Sequence, residues 1–170
     1  DLEIPKGQTG EIIVKAPWVT KTYLNCEDIT HLAKIPDGET FWHRMGDLGK
    51  LDEQNRLWFC GRKNHRVLTH AETLFTIPCE ALFNKHPDVR RSALVGIGSG
   101  SYHEPVIIIE PEDKGRLNKD REIFIRELRE IAATSPQTRV IKKILFHHDF
   151  PVDVRHNAKI FREKLTIWAE

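Results

Sequence analysis

Residues 42–62 read WHRMGDLGKLDEQNRLWFCGR, and this stretch predicts a β-hairpin. Residues 48–51 can form one strand and residues 56–60 the returning strand, since both runs are rich in apolar or aromatic side chains. The segment between them, residues 52–55, is typical of a turn, because Asp and Asn bond their own backbone. Folding about this turn brings Asp47 beside Arg62 at the open end of the hairpin.

The pairing of Asp47 with Arg62 allows two interpretations. A carboxylate accepts hydrogen bonds from a vicinal diol and a guanidinium only donates, so the pair suits a ribose next to a phosphate. The alternative is a surface salt bridge across a hairpin, which contributes little to stability. On spacing alone, the salt bridge is the more common arrangement.

Composition limits the class of protein. The 170 residues carry a formal charge of +1, so no general polyanion partner is implied, and 39% are hydrophobic, enough for an ordinary core. No apolar run approaches ~18 residues, so we expect no membrane span, and no secretory signal is visible. Cys26, Cys60 and Cys79 form no close pair, which favours a reduced, cytoplasmic protein. Because the chain starts at Asp1 in what resembles the middle of a domain, we expect a piece of a longer protein.

Two regions of different pattern predict an α+β protein with two parts. Residues 1–62 are β-rich, with a strand over 11–15, a short helix over 26–34 capped by Asn25, and a turn over 36–39. The charged run after Gly61 marks the boundary. Residues 63–170 then form a compact second domain, in which a short β-sheet is flanked by helices.

The second domain has its own predicted elements. Residues 66–68 are expected to pair with 74–77, and a helix begins at Pro78 and reaches about His86. Residues 119–134 are the best predicted helix, with an apolar face made by Ile123, Phe124, Leu128 and Ile131. Further strands are expected at 91–97, 105–110 and 144–146, a loop at 113–118, an irregular segment at 149–158, and a terminal helix packed through Ile160, Leu165 and Trp168.

The last third of the chain is locally basic. A solvated face is the usual explanation of such a charge run, and a nonenzymatic module that binds nucleic acid is a further alternative, although few aromatic residues are present to stack on bases. Lys159, in a loop before the terminal helix, can follow a phosphate oxygen and a carboxylate through one displacement, because its ammonium is compact and movable. A lone lysine is more often only a surface charge.

The histidines do not predict a metal site. His65, His70, His147, His148 and His156 have no cysteine at ligand spacing, and a closed zinc site needs four ligands. We therefore expect no metal bound by protein side chains alone.

Four motifs occur in a characteristic order: Gly10-Glu11-Ile12, residues 42–47, Gly61-Arg62, and a loop lysine near the end. Together they resemble the closing third of the acyl-adenylate-forming enzymes, the superfamily of acyl-CoA synthetases, nonribosomal-peptide adenylation domains and luciferases. The resemblance runs from about Gly7 to Leu165. Residues 68–80, which include the FTIPCE run of 75–80, and residues 150–165 are most similar to the olefin β-lactone synthetases and to similar proteins called fatty-acid–CoA ligases or peptide synthetases.

The resemblance implies roles for individual residues. Asp47 matches the aspartate that holds the ribose hydroxyls of ATP and of the acyl-AMP, and Arg62 the arginine that contacts ribose and phosphate. Asn64 falls on the hinge before a mobile C-terminal domain. Lys159 matches the lysine that bridges the α-phosphate and the carboxylate. Glu80 matches an acidic position that we interpret as a helix-start charge rather than as catalytic.

The implied reaction has two halves. A carboxylic acid reacts with ATP, accompanied by Mg²⁺, to give acyl-AMP and pyrophosphate, and a nucleophile then expels AMP. In β-lactone synthetases that nucleophile is the substrate's own β-hydroxyl. CoA-using relatives usually carry glycines where this chain has Thr69-His70-Ala71-Glu72-Thr73, so lactone closure is favoured over an acyl-CoA or peptide-synthetase acceptor.

Other departures restrict what this chain can do by itself. Asn157-Ala158 replaces the usual Ser-Gly before Lys159, which affects the fine placement of the lysine. The phosphate-binding loop and the acyl pocket of the family have no counterpart in these residues. We therefore expect no adenylation activity and no tight nucleotide binding by this chain alone.

Overall fold

The computed structural model describes residues 3–113, 115–153 and 155–170. The chain divides into two compact units, Asp1–Asn64 and His65–Glu170. The sequence places the boundary after Arg62, within the same short polar segment. In the described residues, no helix has the length and apolar character needed to cross a bilayer.

The first unit is an antiparallel sheet built around one long strand. That strand, β3 (Thr40–Leu51), pairs with three others. Its first residues pair with β2, its last residues pair with β4, and β1 lies against its middle. The remaining elements are β1 (Gly10–Val14), α1 (Glu27–Ala33), β2 (Lys34–Asp37) and β4 (Leu57–Arg62), and a 3-10 turn at Lys63–His65 contains the division between the units.

Two predicted details of the first unit are wrong. The cap of α1 is Cys26, without a side-chain capping bond, whereas Asn25 has a φ of +55° and lies in the left-handed region one residue earlier. The predicted turn over 36–39 is shorter. Pro36 and Asp37 belong to β2, because Asp37 pairs directly with Thr40, and only Gly38 and Glu39 connect the strands.

The second unit surrounds a three-stranded sheet in the order β7-β8-β9. Antiparallel pairing joins β7 to β8, and parallel pairing joins β8 to β9, with the longest helix of the described residues, α4, in the connection. The elements are β5 (Val67–Leu68), β6 (Thr73–Leu74), α2 (Thr76–Phe83), β7 (Val89–Ile97), β8 (Glu104–Pro111), α3 (Arg116–Lys119), α4 (Arg121–Ala133), α5 (Pro136–Arg139), β9 (Lys143–Phe146), β10 (Val152–Asp153), β11 (His156–Ile160) and α6 (Arg162–Ala169).

Helices cover both faces of this sheet. Alternate residues of a strand point to opposite faces, so Leu94 and Ile107 face α2 and α4, while Val95 and Ile108 face α6. Both faces are largely buried along β7 and β8, which explains why these two strands are continuous apolar runs rather than alternating ones.

The apolar face of α4 differs from the predicted one at a single residue, since Phe124, Leu128 and Ile131 pack in the core as predicted. Phe124 and Leu128 are fully buried, and Ala132 continues their row one turn later. Ile123 is 41% exposed, because it lies on the edge of that row rather than within it. Of the residues predicted to pack the terminal helix, Leu165 is buried and Trp168 is 47% exposed.

Two segments that were predicted to be irregular contain regular structure. Within 149–158, β10 and the start of β11 form an antiparallel hairpin with a bulge. Within 113–118, helix α3 begins at Arg116. Both elements are too short to leave a periodic signal in the sequence.

Candidate functional site

The hairpin formed by β3 and β4 places Asp47 directly opposite Arg62, as the sequence predicts. The pairing is regular from Leu51 back to Gly49, but Leu48 pairs with Gly61 and leaves Cys60 as the extra residue of a bulge. A bulge increases local twist and redirects the side chains that follow it. Asp47 and Arg62 are the last pair of the ladder, one pair beyond the bulge, and so lie at the open end of the hairpin.

Asp47 and Arg62 are close but do not fully satisfy each other. Arg62 Nη1 lies 3.1 Å from Asp47 Oδ1, and the same Nη1 donates to the Met45 carbonyl at 3.2 Å. Asp47 Oδ1 is shielded from solvent, and within the described part of the chain no donor meets hydrogen-bond geometry toward it. The distance between Arg62 Nη1 and Asp47 Oδ1 is therefore that of an ion pair, but its geometry is not that of a hydrogen bond. Asp47 Oδ1 can still accept a hydrogen bond from a ligand.

Exposure separates the two partners. The Asp47 side chain is 21% exposed and the Arg62 side chain 59% exposed. A pair with one partner in solvent contributes about 0–1 kcal/mol to stability. The guanidinium can therefore turn toward a ligand at little cost to the fold.

Gly46 prepares the backbone for Asp47. Its φ of +67° lies in the left-handed region that favours glycine, and a Cβ there would be 4.0 Å from Arg62 Nη1. The space beside the pair is open, so the requirement for glycine comes from the backbone conformation.

Asp52 closes the other end of the hairpin. Its Oδ1 accepts from the backbone N–H groups of Gln54 and Arg56, each at 2.9 Å, and its Oδ2 accepts from Trp58 Nε1 at 2.8 Å. The Trp58 indole lowers the pKa of Asp52 most, and together with the Arg56 and Gln54 donors it outweighs desolvation and brings the pKa to about 2. This turn fixes the register on which the Asp47–Arg62 pairing depends.

A second charged cluster lies beside the pair and was not predicted. Glu11 Oε2 accepts from Arg44 Nη2 at 2.6 Å and from Lys63 Nζ at 2.7 Å. Burial raises the pKa of Glu11, but these two cations outweigh burial and leave the pKa below its ordinary value. The only sequence feature that pointed to this cluster was Glu11 itself, a single acidic residue in the otherwise apolar strand β1. Glu11 thereby ties Lys63, the neighbour of Arg62, to the sheet.

Lys159 lies in the second unit, on β11, and its side chain is exposed. The next residue, Ile160, is buried at 9% exposure and pairs with Val152. The positive charge of Lys159 is one of several influences that lower the pKa of Glu163, of which the backbone N–H of Glu163 is the largest and His65 also contributes. Asn64 is exposed, and the division between the two units follows it directly.

Glu80 is not the helix-start charge that was predicted. It is the fifth residue of α2, is only 5% exposed, and accepts from Leu94 N at 2.8 Å. Arg162 Nη2 reaches both of its oxygens, at 2.8 and 2.7 Å. Burial raises the pKa of Glu80, and the charge of Arg162 opposes that rise. The pair was missed because 82 residues separate its members.

Three possible metal ligands, His86, Asp88 and Glu127, lie within 4.8 Å of one another in the second unit. The ring of His86 already joins them. Nδ1 accepts from Asp88 N at 3.1 Å, so Nε2 carries the proton and donates to Glu127 Oε2 at 3.3 Å. The arrangement links the segment after α2 to α4. The expectation of no metal site remains a prediction.

Relatives of known activity match almost the whole chain. An olefin beta-lactone synthetase of Xanthomonas campestris pv. campestris is 48% identical over 168 residues, and one of Stenotrophomonas maltophilia is 44% identical over 168 residues. Each match covers 96% of this chain but 30% of the relative, so the chain spans about three-tenths of the length of these enzymes. No family model matches the chain.

Solved structures show the same fold. An anthranilate CoA ligase in complex with anthranoyl-AMP superimposes with a TM-score of 0.82 at 19% identity, covering 98% of this chain and 31% of that one. The O-succinylbenzoate Coenzyme A synthetase of Bacillus subtilis, in complex with ATP and a magnesium ion, gives 0.75 at 22% identity, covering 95% and 31%. The chain is therefore homologous to the AMP-forming ligases, and it has the fold of their carboxyl-terminal part.

Proposed function

We propose that this chain is the carboxyl-terminal part of an ATP-dependent ligase that activates a carboxylic acid as acyl-AMP. The observation that carries the proposal is the Asp47–Arg62 pair, a shielded acceptor beside a half-exposed donor at the end of a hairpin. The 48% identity to an olefin beta-lactone synthetase supports it. Residues 1–62 would be the end of that ligase's large N-terminal domain, and residues 63–170 would form its mobile C-terminal domain, with Asn64 at the hinge.

Each proposed residue has a chemical task in this scheme. Asp47 accepts hydrogen bonds from the two ribose hydroxyls, and its unsatisfied Oδ1 fits that role. Arg62 donates to the ribose and the phosphate. The exposed ammonium of Lys159 stabilises the negative charge that develops at the α-phosphate and the substrate carboxylate. Mg²⁺ would be held mainly by the phosphates, because such sites usually combine phosphate oxygens with few protein ligands.

We propose a β-hydroxy fatty acid as the substrate and a β-lactone as the product. The turn between β5 and β6 supports this choice over transfer to CoA. Thr69 closes that turn, because its Oγ1 donates to Glu72 O at 2.8 Å and accepts from Glu72 N at 3.0 Å. A closed turn that carries His70 and Glu72, without glycine, obstructs the close backbone approach that a thiol arm would need.

The same proposal includes location and partners. The cysteines of the described residues are free thiols, which supports a reducing, cytoplasmic compartment. ATP and a carboxylic acid would be the ligands, with no nucleic-acid partner.

The test uses the full-length polypeptide that carries this chain, with a β-hydroxy fatty acid and ATP. Release of AMP together with a lactone, without added CoA, is the expected result. AMP release that depends strictly on CoA would reject lactone closure. Failure to release AMP with any acceptor tested would reject the adenylation proposal.

A matched pair of variants tests the site itself. Asp47→Asn should raise the KM for ATP by about tenfold to a hundredfold, since hydrogen bonds to a charged group contribute about 1.5–3 kcal/mol. Asp37→Asn removes a carboxylate from the same sheet that pairs only with Lys15 and Trp42 in the described residues, and it should leave the KM unchanged. Equal KM values for the two variants would contradict the assignment.

A further inference from the structure

A buried ion pair joins the start of the terminal helix to the core of the second unit. Glu80 is 5% exposed, and the Arg162 side chain is 13% exposed. Arg162 Nη2 donates to both carboxylate oxygens, and Leu94 N donates to Oε1. One carboxylate thus connects α2, β7 and α6.

This pair lies at the end of the segment that carries Lys159. Arg162 follows Lys159 by three residues. Between them, Ile160 is packed in the core and Phe161 N donates to Pro151 O at 2.9 Å. On its C-terminal side, Lys159 is therefore followed by three consecutive residues that are each fixed to the rest of the unit.

Stability alone is a poor explanation of such a pair. Desolvating two charges costs several kcal/mol each, and an apolar pair of similar volume is often equally stable or more so. A hydrogen-bonded charge pair differs from apolar packing in fixing one direction of approach. The observable consequence of this pair is the fixed direction in which the chain leaves β11 and begins α6.

We propose that Glu80 and Arg162 are positioning residues for Lys159, a role that rests on the function proposed above. Their contact fixes the backbone from which the ammonium extends, so that it reaches the reacting groups in the adenylation half. A misplacement of about 1 Å can lower a rate about a hundredfold. The pair itself touches neither substrate nor the reacting atoms.

The experiment compares the two half-reactions of the full-length enzyme. Exchange of labelled pyrophosphate into ATP reports acyl-AMP formation, and consumption of supplied acyl-AMP reports the second half. Arg162→Met should lower exchange about tenfold or more while leaving acyl-AMP consumption within about twofold. Arg162→Lys, which restores a cation opposite Glu80, should recover part of the lost exchange.

A second buried pair provides the control. Arg91 donates to Glu110 at 2.6 and 3.2 Å, and Glu110 is 0% exposed, but this pair joins two neighbouring strands, β7 and β8, rather than joining the core to α6. Arg91→Met should lower the unfolding temperature and leave the ratio of the two half-reactions unchanged.

Several outcomes would overturn the proposal. If Arg162→Met lowers both half-reactions equally, or has the same ratio of half-reaction rates as Arg91→Met, the Glu80–Arg162 pair contributes only to stability. If Arg162→Met does not fold, Glu80→Gln, which keeps the bond from Leu94 N, must show the same selective loss. A wild-type enzyme without any exchange would instead reject the proposed function.

Discussion

Asp47 and Arg62 show how a weak interaction for the fold can be a useful one for binding. Arg62 is too exposed for the pair to contribute more than about 1 kcal/mol to stability. Asp47 nevertheless keeps a shielded oxygen whose hydrogen-bonding capacity is unused within the described residues. A ligand with paired hydroxyls would satisfy that oxygen, which is the physical basis of the proposed ribose contact.

The hydrogen bonds of the ionised Asp52 carboxylate should make the stability of the fold depend on pH. Its pKa of about 2 in the folded chain lies below the ordinary value of 3.8, so its ionised form stabilises the fold. That stabilisation is fully present above pH 3.8 and disappears as the pH falls through about 2. The unfolding free energies of the wild type and of Asp52→Asn should therefore differ at pH 5 and converge as the pH falls.

Titration of the Asp52 side-chain carboxyl, followed by NMR, measures its pKa directly. Glu53→Gln is the control, because it removes a charge from the same turn without removing any of the bonds to Asp52. A carboxyl that titrates near 3.8 would show that the bonds seen in the structure do not persist in solution.

At the scale of elements, α4 gives a prediction about packing. Phe124 is fully buried and contacts the rings of His86 and Phe146, at centroid distances of 5.1 and 5.4 Å. Phe124→Ala should lower the unfolding free energy by about 3–5 kcal/mol, from lost burial and the cavity left behind. Ile123→Ala, at the partly exposed neighbouring position, should cost only about 0.5 kcal/mol. Denaturant unfolding of both variants measures the difference, and equal losses would contradict the observed phase of the helix.

Local patterns predicted the elements whose signals are local. The hairpin that brings Asp47 to Arg62 follows from a turn sequence between two strand sequences, both within 21 residues. The strands β7, β8 and β9 follow from apolar runs. The register and the bulge at Cys60 were not predicted, because they depend on contacts with the neighbouring strand.

Features set by distant contacts were missed. The buried row of α4 ends in Ala132 rather than including Ile123, because the sheet beneath decides which side of the helix is covered. The hairpin of β10 and β11 is held by pairing and by the packing of Ile160, not by a repeating pattern. Glu80 and Arg162 are 82 residues apart, and no local rule links them. The roles of Asp47, Arg62, Asn64 and Lys159 remain predictions.

At the scale of the whole molecule, the two units carry different parts of the proposed site. The Asp47–Arg62 pair belongs to the first unit and Lys159 to the second, with Asn64 at the division between them. In the proposed mechanism, the second unit brings Lys159 to the reacting groups for adenylation and withdraws it afterwards. A movement of this kind predicts that loss of the lysine affects one half-reaction only.

The most direct test of a role for Lys159 in adenylation alone is pyrophosphate–ATP exchange by the full-length enzyme with Lys159 replaced by alanine. Lys142→Ala is the control, since Lys142 is an exposed lysine of the same unit whose ammonium donates to the Arg139 carbonyl. Lys159→Ala should lower exchange by about a hundredfold or more, since it removes a charge aimed at the transition state. The Lys159→Ala enzyme should still consume supplied acyl-AMP. The Lys142→Ala enzyme should carry out both the exchange and the consumption of acyl-AMP at the normal rate. Normal exchange by Lys159→Ala would contradict the account.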